Sequence, residues 1–461
     1  MRAAEEREFT THDGTSLFFR HWPATTGSAD RAIVLLHRGH EHSGRFQHVV
    51  DELDLPQFSM FAWDARGHGR SPGARGDSPG FASSVKDVDT FVRHVAAEYR
   101  IPIENILVIA QSVGAVLAAT WAHDYAPSVR GLILTSPAFK VKLYVPFALA
   151  GLRLMYRLRG NFFITSYVKA KFLTHDPQRI RSYETDPLIT RAISVRVLLG
   201  LFDASQRIVA DAAAIQLPVQ LLTSDSDWVV HQGPQLAFFE RLSSPLKEMH
   251  VLHGFYHDTL GEKDRAQAFT RMRGFIDRLY GQSRSVPDLL ESHRIGYTRD
   301  EEARLMQPLH PLSLKNLRFA LLRISMRTLG RLSHGITLGF RTGFDSGSTL
   351  DYVYRNEASG CTPLGRLIDR NYLDSIGWRG IRVRKAHLEQ AIVAAAARLR
   401  ARGRPLRIAD VAAGHGRYVL EAVQKLPTQP ESVLLRDYSD INVRDGTTLI
   451  DRMHLGHVGR V

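Results

Sequence analysis

The chain has 461 residues, of which 44% are hydrophobic and 23% charged, so a wholly disordered protein is excluded and two or three domains are expected. Its single cysteine, Cys361, excludes intramolecular disulfides and cysteine-cluster metal sites, and the lack of a long apolar run or of an apolar leader predicts a soluble, cytoplasmic protein. The net charge of +13 is uneven: residues 291–461 hold 27 basic and 17 acidic residues, and residues 1–290 hold 33 and 30, which indicates two units.

The first part of the chain alternates short apolar runs with helical periodicity. Alternation around Asp13-Gly14 predicts a hairpin over residues 8–22. Strands are predicted at residues 31–36, 59–63, 105–110, 131–135, 219–222 and 248–252, and helices at 46–53, 85–99, 114–124 and 265–280. This alternation predicts a mostly parallel α/β sheet covered on both faces. The apolar, basic segment at about 138–215 interrupts it and is predicted to form a helical cap.

A candidate nucleophile stands between a predicted strand and a predicted helix, in the sequence Ala110-Gln111-Ser112-Val113-Gly114. A nucleophile elbow needs small residues two places on either side of its serine, because the backbone turns too sharply for larger side chains. Alanine stands at the first of these positions, where glycine is usual. The alternative is a serine that only caps a helix, and the strand–turn–helix context favours the nucleophile.

A serine nucleophile needs a base and an orienting acid, in the chain order Ser, Asp or Glu, His for this kind of fold. Asp227 follows one predicted strand and His257 follows the next. Carboxyl ends of parallel strands meet at one edge of a sheet, so both are expected near Ser112. Asp225 is a rival acid and His253 a rival base.

Acyl transfer also needs two backbone N–H donors for the developing oxyanion. Val113 is expected to supply one, and Gly39, in the loop over residues 37–46, the other. An alternative is that His37, His40 and His42 in this loop bind a metal ion, but no nearby Asp-His completes a known pattern, and no metal is predicted.

Five ordered segments carry a family resemblance: HRGHEHSGRF, WDARGHGRSPG, AQSVG, SDSDWVV and GFYHD. Together they resemble the monoglyceride lipase/lysophospholipase branch of the α/β-hydrolases over roughly residues 8–282. The resemblance implies a lipid-accommodating cap, a structural turn at Asp64 and an oxyanion donor at Gly39. Where the family usually has glycine after the first histidine, this chain has Arg38, which either restricts the oxyanion loop or contacts an anionic headgroup.

Two basic segments are candidates for contact with lipid. Residues 143–163 of the cap mix aromatic and aliphatic residues with three arginines, which suits either an acyl chain at a membrane surface or an ordinary packed lid. Residues 283–345 are predicted to form a basic amphipathic linker, with seven basic and no acidic residues between 303 and 344. This linker either lies on an anionic membrane or braces two domains. Nucleic-acid binding is not expected, because no stacking platform or binding motif is present.

The C-terminal region, residues 346–461, contains a strand at 407–411 that runs into Asp410-Val411-Ala412-Ala413-Gly414-His415-Gly416 before a helix. Small residues there would let the backbone approach a ligand. Asp437, after the next strand, is placed to bind ribose hydroxyls. The pattern resembles class I S-adenosylmethionine (SAM)-dependent methyltransferases, which implies a partial Rossmann-like domain with Asp410, Gly414, Gly416 and Asp437 at the cofactor. Ala412 replaces the usual first glycine.

Only about three strands of the seven expected for such a domain can be found, so this region is expected to be incomplete and not to transfer methyl groups. The function favoured by the sequence is hydrolysis of a carboxylic ester, such as a monoacylglycerol or lysophospholipid, without a cofactor. An aminopeptidase or thioesterase with the same triad is one alternative, and a SAM-binding module with a degenerate hydrolase is another.

Overall fold

The computed structural model describes residues 1–27, 30–283, 290–291, 294 and 297–461. They form two compact units, Met1–Gln307 and Pro308–Val461. Parts of the predicted linker, residues 284–289, 292–293 and 295–296, lie outside the described residues.

An eight-stranded sheet forms the centre of the first unit. Its strands are β1 (Glu5–Thr10), β2 (Ser16–Trp22), β3 (Ala32–Leu36), β4 (Ser59–Trp63), β5 (Ile106–Gln111), β6 (Gly131–Thr135), β9 (Val219–Ser224) and β10 (Lys247–Leu252). Two short strands of the cap, β7 (Phe163–Thr165) and β8 (Ala192–Ser194), are numbered in chain order and form a separate pair. The spatial order is β1-β2-β4-β3-β5-β6-β9-β10, with β1 and β2 antiparallel to their neighbours and the others parallel. The predicted hairpin and mostly parallel sheet are confirmed.

The central strands β3, β4, β5, β6 and β9 are mostly apolar and are buried at every position, because both faces of the sheet are covered. In β3, Ile33 and Leu35 pack into one core cluster, whereas Val34 and Leu36 pack into the other. This is the two-residue alternation of a strand buried on both sides. The helices of the first unit, those of the cap included, are α1 (Gln47–Leu53), α2 (Phe81–Glu98), α3 (Val113–Tyr125), α4 (Ala148–Arg159), α5 (Pro177–Thr185), α6 (Val195–Ala210), α7 (Gly233–Arg241), α8 (Ala266–Gly281) and α9 (Tyr297–Met306).

The segment between β6 and β9 forms the cap. It contains α4, α5 and α6, as its helical pattern predicts, and also the antiparallel pair β7 and β8, which was not predicted. Three-residue strands carry too little periodicity to be recognised in a sequence. Helix α6 buries one apolar face, whereas α4 has no buried residue. Within the described part of the chain, no helix is both long and apolar enough to cross a membrane.

The second unit is mainly helical, with a small parallel sheet in the order β11-β12-β13. Its elements are α10 (Leu314–Arg327), α11 (His334–Thr342), α12 (Gly347–Arg355), α13 (Pro363–Leu373), α14 (Ile376–Ala401), β11 (Arg407–Val411), α15 (Arg417–Gln424), β12 (Ser432–Arg436), α16 (Asp440–Arg452) and β13 (Gly459–Arg460). One face of α15 and the inner residues of β12 form its main apolar core. The basic helix α10 has no buried residue.

Candidate active site

Ser112 occupies a sharp turn between the end of β5 and the start of α3. Its backbone has φ 55° and ψ −113°, a conformation that is strained for any residue with a side chain. A Cβ added to Gly114 would lie 2.6 Å from the carbonyl oxygens of Leu36 and His37. Only glycine fits there, which explains the small residue that the sequence pattern requires after the serine.

The structure brings together the three side chains that the sequence singles out for catalysis. Nε2 of His257 lies 2.7 Å from Oγ of Ser112, and Nδ1 of the same ring lies 2.7 Å from Oδ2 of Asp227. All three side chains are buried. A hydroxyl, an imidazole and a carboxylate joined in this order can move a proton from the serine to the histidine.

Asp227 is held so that one carboxylate oxygen remains for His257. Its Oδ1 accepts hydrogen bonds from the backbone N–H groups of Val229, at 2.7 Å, and Val230, at 2.9 Å. Burial alone would raise the pKa of the Asp227 carboxyl, but the charge and hydrogen bond of His257 and these two N–H groups hold that pKa below its ordinary value. Asp227 is therefore held as an anion, with Oδ2 facing Nδ1 of His257.

The rival acid and base pair with each other instead. Nδ1 of His253 lies 2.9 Å from Oδ2 of Asp225, and the backbone N–H of Gly254 donates to Oδ1 of Asp225 at 2.8 Å. The side chain of His253 is 84% exposed. These two residues stabilise a surface turn and do not contact Ser112.

The two predicted oxyanion donors lie next to each other. A Cβ built on Gly39 would be 3.3 Å from Cγ2 of Val113, and both residues line the cavity that contains Ser112. The Arg38 side chain binds two carboxylates: its Nε and Nη2 form ion pairs with Glu41, at 2.7 and 2.8 Å, and Nη2 also lies 3.1 Å from Oδ2 of Asp258. Both interpretations of Arg38 stay predictions, although these ion pairs favour a fixed loop.

The three histidines of this loop face different partners. Nε2 of His37 accepts from Ala65 N–H at 3.0 Å, and Nε2 of His42 lies 2.9 Å from Asp186. His40 lines the cavity. Among the described residues, no group of three or more His, Cys, Asp and Glu side chains is arranged to hold a metal ion.

Three histidines of the first unit make its stability depend on pH. Burial, the largest cause in each case, lowers the pKa of His40 and of His48 to about 4 and that of His68 to about 3. In the unfolded chain these groups titrate near 6.5, so the unfolded state binds more protons and the free energy of unfolding falls as pH drops from about 6.5 to 4.

Urea unfolding followed by tryptophan fluorescence between pH 7.5 and 4.5 measures this fall. His48→Gln is expected to make it shallower, and His253→Gln, at an exposed position, is expected to leave it unchanged. An unfolding free energy that is flat over this range would contradict the prediction.

Ser112 and His257 open into a cavity of about 120 Å³. Its walls are mostly aliphatic and aromatic side chains from the cap and from the loops after the strands, and its polar side chains are those of Arg38, His40, Ser112, Thr165, Ser166, Tyr167, Tyr183 and His257. Among the residues that the structure describes, no Asp or Glu belongs to the lining. An apolar group next to a nucleophile suits the acyl part of an ester. The cap residues of this lining were not singled out from the sequence, because nothing local marks which face of a cap turns inward.

The second unit has a cavity of about 420 Å³ beside the glycine-rich turn. Gly414, Gly416 and Asp437 line it, together with Tyr354 and Arg384. Gly416 adopts φ 69° and a Cβ on it would lie 2.3 Å from Leu435 Cδ1, so glycine is favoured there.

The two acidic residues predicted at the cofactor differ in position. Asp437 lines the cavity and accepts hydrogen bonds from the backbone N–H groups of Gly414, at 2.9 Å, and Ser439, at 3.0 Å. Asp410 does not line the cavity, and its carboxylate accepts a hydrogen bond from the Tyr418 hydroxyl at 2.7 Å. A role for Asp410 at a ligand would therefore run through Tyr418, which does line the cavity.

Ala412, where the resemblance has glycine, adopts φ 60°. Placing an alanine in this conformation destabilises the folded state by about 1–2 kcal/mol. Glycine has no such steric strain, but it loses more conformational entropy on folding. Ala412→Gly is therefore expected to stabilise the second unit by up to about 1 kcal/mol, measured by thermal unfolding. Ala409→Gly, inside β11, is the control and is expected to destabilise it. A loss of stability in Ala412→Gly would contradict the inference that the backbone of Ala412 is strained.

Comparison of the sequence with protein families agrees with this geometry. Residues 27–264, more than half of the chain, match the family described as "Serine aminopeptidase, S33". The chain belongs to the S33 family. Residues 272–461 match a second family, described as "Putative methyltransferase". The hydrolase resemblance and the methyltransferase resemblance are both confirmed.

Some relatives of this S33 protein match the whole chain, and others match about half of it. The uncharacterized protein YnbC of Escherichia coli (strain K12) is 55% identical over 460 residues, which are 100% of this chain and 78% of that protein, so the two share one family. The monoacylglycerol lipase of Mycolicibacterium smegmatis is 25% identical over 56% of this chain and 92% of its own length. The monoglyceride lipase of Rattus norvegicus is 27% identical over 53% and 80%. The predicted enzyme class, a hydrolase of the esterase and lipase type, is confirmed.

Solved structures resemble the chain as well. The first unit, Met1–Gln307, contains the S33 match and is called the S33 unit below. A soluble variant of monoglyceride lipase from Saccharomyces cerevisiae, in complex with a substrate analog, superposes with a TM-score of 0.53 at 19% identity, over 60% of this chain and 96% of that one. The monoacylglycerol lipase of Paleococcus ferrophilus gives a TM-score of 0.50 at 24% identity, over 61% and 100%. These likenesses confirm the predicted α/β-hydrolase fold.

Proposed function

We propose that the S33 unit is a serine hydrolase that cleaves carboxylic esters through an acyl-enzyme. The continuous hydrogen-bonded chain from Ser112 through His257 to Asp227 carries the proposal, because each link measures 2.7 Å. This spacing is what proton transfer from a nucleophile to a base requires.

The reaction follows from the roles of these groups. Ser112 Oγ attacks the ester carbonyl while His257 Nε2 takes its proton, and the carboxylate of Asp227 stabilises the imidazolium that forms. The N–H groups of Gly39 and Val113 bind the oxyanion. His257 then gives the proton to the departing alcohol. A water molecule, activated by the same histidine, hydrolyses the acyl-enzyme.

The preferred substrate is an ester of a single fatty acyl chain, as in a monoacylglycerol or a lysophospholipid. The apolar walls of the cavity favour an acyl chain over a polar group. The cap supports access from a lipid surface, because Phe147 is 89% exposed and Leu158 76% exposed beside Arg157 and Arg159. Peripheral contact with an anionic membrane is part of this proposal. Relatives of the S33 unit carry the names monoacylglycerol lipase and monoglyceride lipase, which supports the same choice.

Aminopeptidase activity, which the family description mentions, is less compatible with the cavity. A free α-ammonium group needs a carboxylate partner when it is desolvated, and no Asp or Glu lines the cavity among the described residues. Apart from His257, the charged or titratable side chains of the lining are those of Arg38, His40, Tyr167 and Tyr183. A thioester would fit the same geometry as an oxygen ester, so it stays a candidate.

A substrate panel and a covalent probe test the proposal. The purified chain is expected to react with a fluorophosphonate and to hydrolyse monoacylglycerols or lysophospholipids faster than thioesters and aminoacyl amides. Faster cleavage of aminoacyl amides would favour the aminopeptidase. No labelling, with SAM binding retained, would favour a cofactor-binding module attached to a degenerate hydrolase.

For the second unit, we propose that the cavity beside the glycine-rich turn binds SAM. Gly414, Gly416 and Asp437 line this cavity, and a carboxylate after the second strand of a Rossmann-like sheet is suited to bind ribose hydroxyls, which supports the proposal. Titration calorimetry with SAM is expected to show binding that Asp437→Ala removes, and Asp451→Ala, outside the lining, is the control. The expected lack of methyl transfer stays a prediction, which turnover of labelled SAM would contradict.

A further inference from the structure

Three buried side chains that neighbour the candidate catalytic residues in sequence meet in one network. Gln111 precedes Ser112, Asp258 follows His257, and Arg38 precedes Gly39. Nε2 of Gln111 donates to Oδ1 of Asp258 at 3.0 Å, and Nη2 of Arg38 lies 3.1 Å from Oδ2 of Asp258. One carboxylate therefore joins the elbow, the histidine loop and the oxyanion loop.

The members of this network have little freedom to move. Asp258 is fully buried, and it also accepts from Arg179 Nε, at 3.0 Å, and from the backbone N–H of Gly261, at 3.1 Å. Glu41 also binds the Arg38 guanidinium, through Nε and Nη2. The Asp258 carboxylate accepts three hydrogen bonds and pairs with Arg38, and the Arg38 guanidinium pairs with two carboxylates, so both groups are restrained in position and orientation.

The electrostatics keep the network ionised. Burial alone would raise the pKa of Asp258, but the charges of Arg38 and Arg179 and the hydrogen bond of Gln111 outweigh burial and lower it strongly. Burial would likewise raise the pKa of Glu41, and Arg38 lowers it to about 2. The ion pairs therefore persist over the whole pH range in which an esterase would be assayed.

We infer that Asp258, Arg38 and Gln111 are positioning residues, which hold the nucleophile, the base and the oxyanion loop in one arrangement through their immediate chain neighbours. The inference rests on the proposed function. None of the three side chains is assigned to the reacting atoms. Because a displacement of about 1 Å at a reacting centre can cost about 100-fold in rate, the network is expected to act on turnover more than on substrate binding.

The matched control is a buried ion pair in the same unit that does not adjoin the site. Asp87 is buried and binds Arg66 through both oxygens, at 2.5 and 2.8 Å. Asp258→Asn and Asp87→Asn each remove one buried negative charge from an arginine. A purely structural role for Asp258 predicts the same outcome for both variants, namely lower thermal stability with wild-type kcat.

With a short-chain nitrophenyl ester, Asp258→Asn is expected to lower kcat about 10- to 100-fold with KM changed by less than about twofold, and to slow fluorophosphonate labelling in parallel. Arg38→Lys, which keeps the charge, is expected to retain more of kcat than Arg38→Met. Asp87→Asn should keep wild-type kcat. If Asp258→Asn does not fold, Gln111→Leu, which removes no charge, is measured in its place and is expected to show the same loss of kcat.

A double variant separates joint positioning from independent damage. Gln111→Leu combined with Asp258→Asn is expected to lose little more kcat than the worse single variant, since both break the same link. Wild-type kcat in Asp258→Asn or Gln111→Leu, or a loss in Asp87→Asn as large as in Asp258→Asn, would overturn the inference. Failure of the proposed function itself would show differently, as a wild-type chain that neither reacts with the probe nor hydrolyses esters.

Discussion

Replacing Ser112 by alanine is expected to lower kcat/KM for ester hydrolysis by about 10⁴- to 10⁶-fold. The variant loses the nucleophile, while the oxyanion donors and the cavity remain. Its fold is expected to persist, because alanine and serine pay the same backbone cost at φ 55° and the loss is one hydrogen bond to His257, worth about 1 kcal/mol. The measurements are ester kinetics, fluorophosphonate labelling and thermal unfolding of the same preparation.

Ser71 offers the opposite pattern as a control. It is fully buried, accepts from the Phe18 N–H at 3.0 Å and donates to the Asp64 carbonyl at 2.5 Å. Ser71→Ala is expected to cost about 1–3 kcal/mol of stability and to leave kcat/KM near the wild-type value, because it leaves a buried donor and acceptor unpaired away from the site. Substantial ester turnover by Ser112→Ala would refute the assignment of the nucleophile.

Changing Asp227 to asparagine is expected to lower kcat about 10⁴-fold with the structure preserved. The amide oxygen can still accept from Val229 and Val230, so the amide NH₂ group faces Nδ1 of His257. An NH₂ donor there forces Nδ1 to accept and moves the ring proton to Nε2. Nε2 then donates to Ser112 and can no longer take its proton.

Asp225→Asn is the matched control, because Asp225 lies two residues away and binds the exposed His253. Its kcat/KM is expected to stay within about twofold of the wild-type value. Similar losses in both variants would mean that the acid was assigned wrongly, and a loss confined to Asp225→Asn would transfer the role to the Asp225–His253 pair.

The elements and residues that local sequence dictates were predictable. Strands such as β3 and β5 are short apolar runs bounded by turns, and the elbow needs a small residue at Gly114 because two carbonyl oxygens stand against it. Asp227 and His257 follow the ends of β9 and β10, so parallel strand order alone brings them to the edge where Ser112 emerges.

What could not be predicted depends on contacts between distant parts of the chain. Gln111 and Asp258 are 147 positions apart, and no spacing rule connects them. The short strands β7 and β8 owe their pairing to the cap's tertiary structure. Asp410 shows the same limit, because its place in the motif suggested a ligand contact, whereas the structure directs its carboxylate to Tyr418.

The left-handed backbone of Ser112 has an evolutionary consequence. A conformation of this kind costs on the order of 1–3 kcal/mol for a residue with a Cβ, a sizeable part of the margin that keeps a domain folded. Glycine would adopt it freely, so a lineage released from selection for hydrolysis would gain robustness by exchanging this serine. A side chain retained at such a position lowers the stability of the fold, and its chemical role is the reason to keep it.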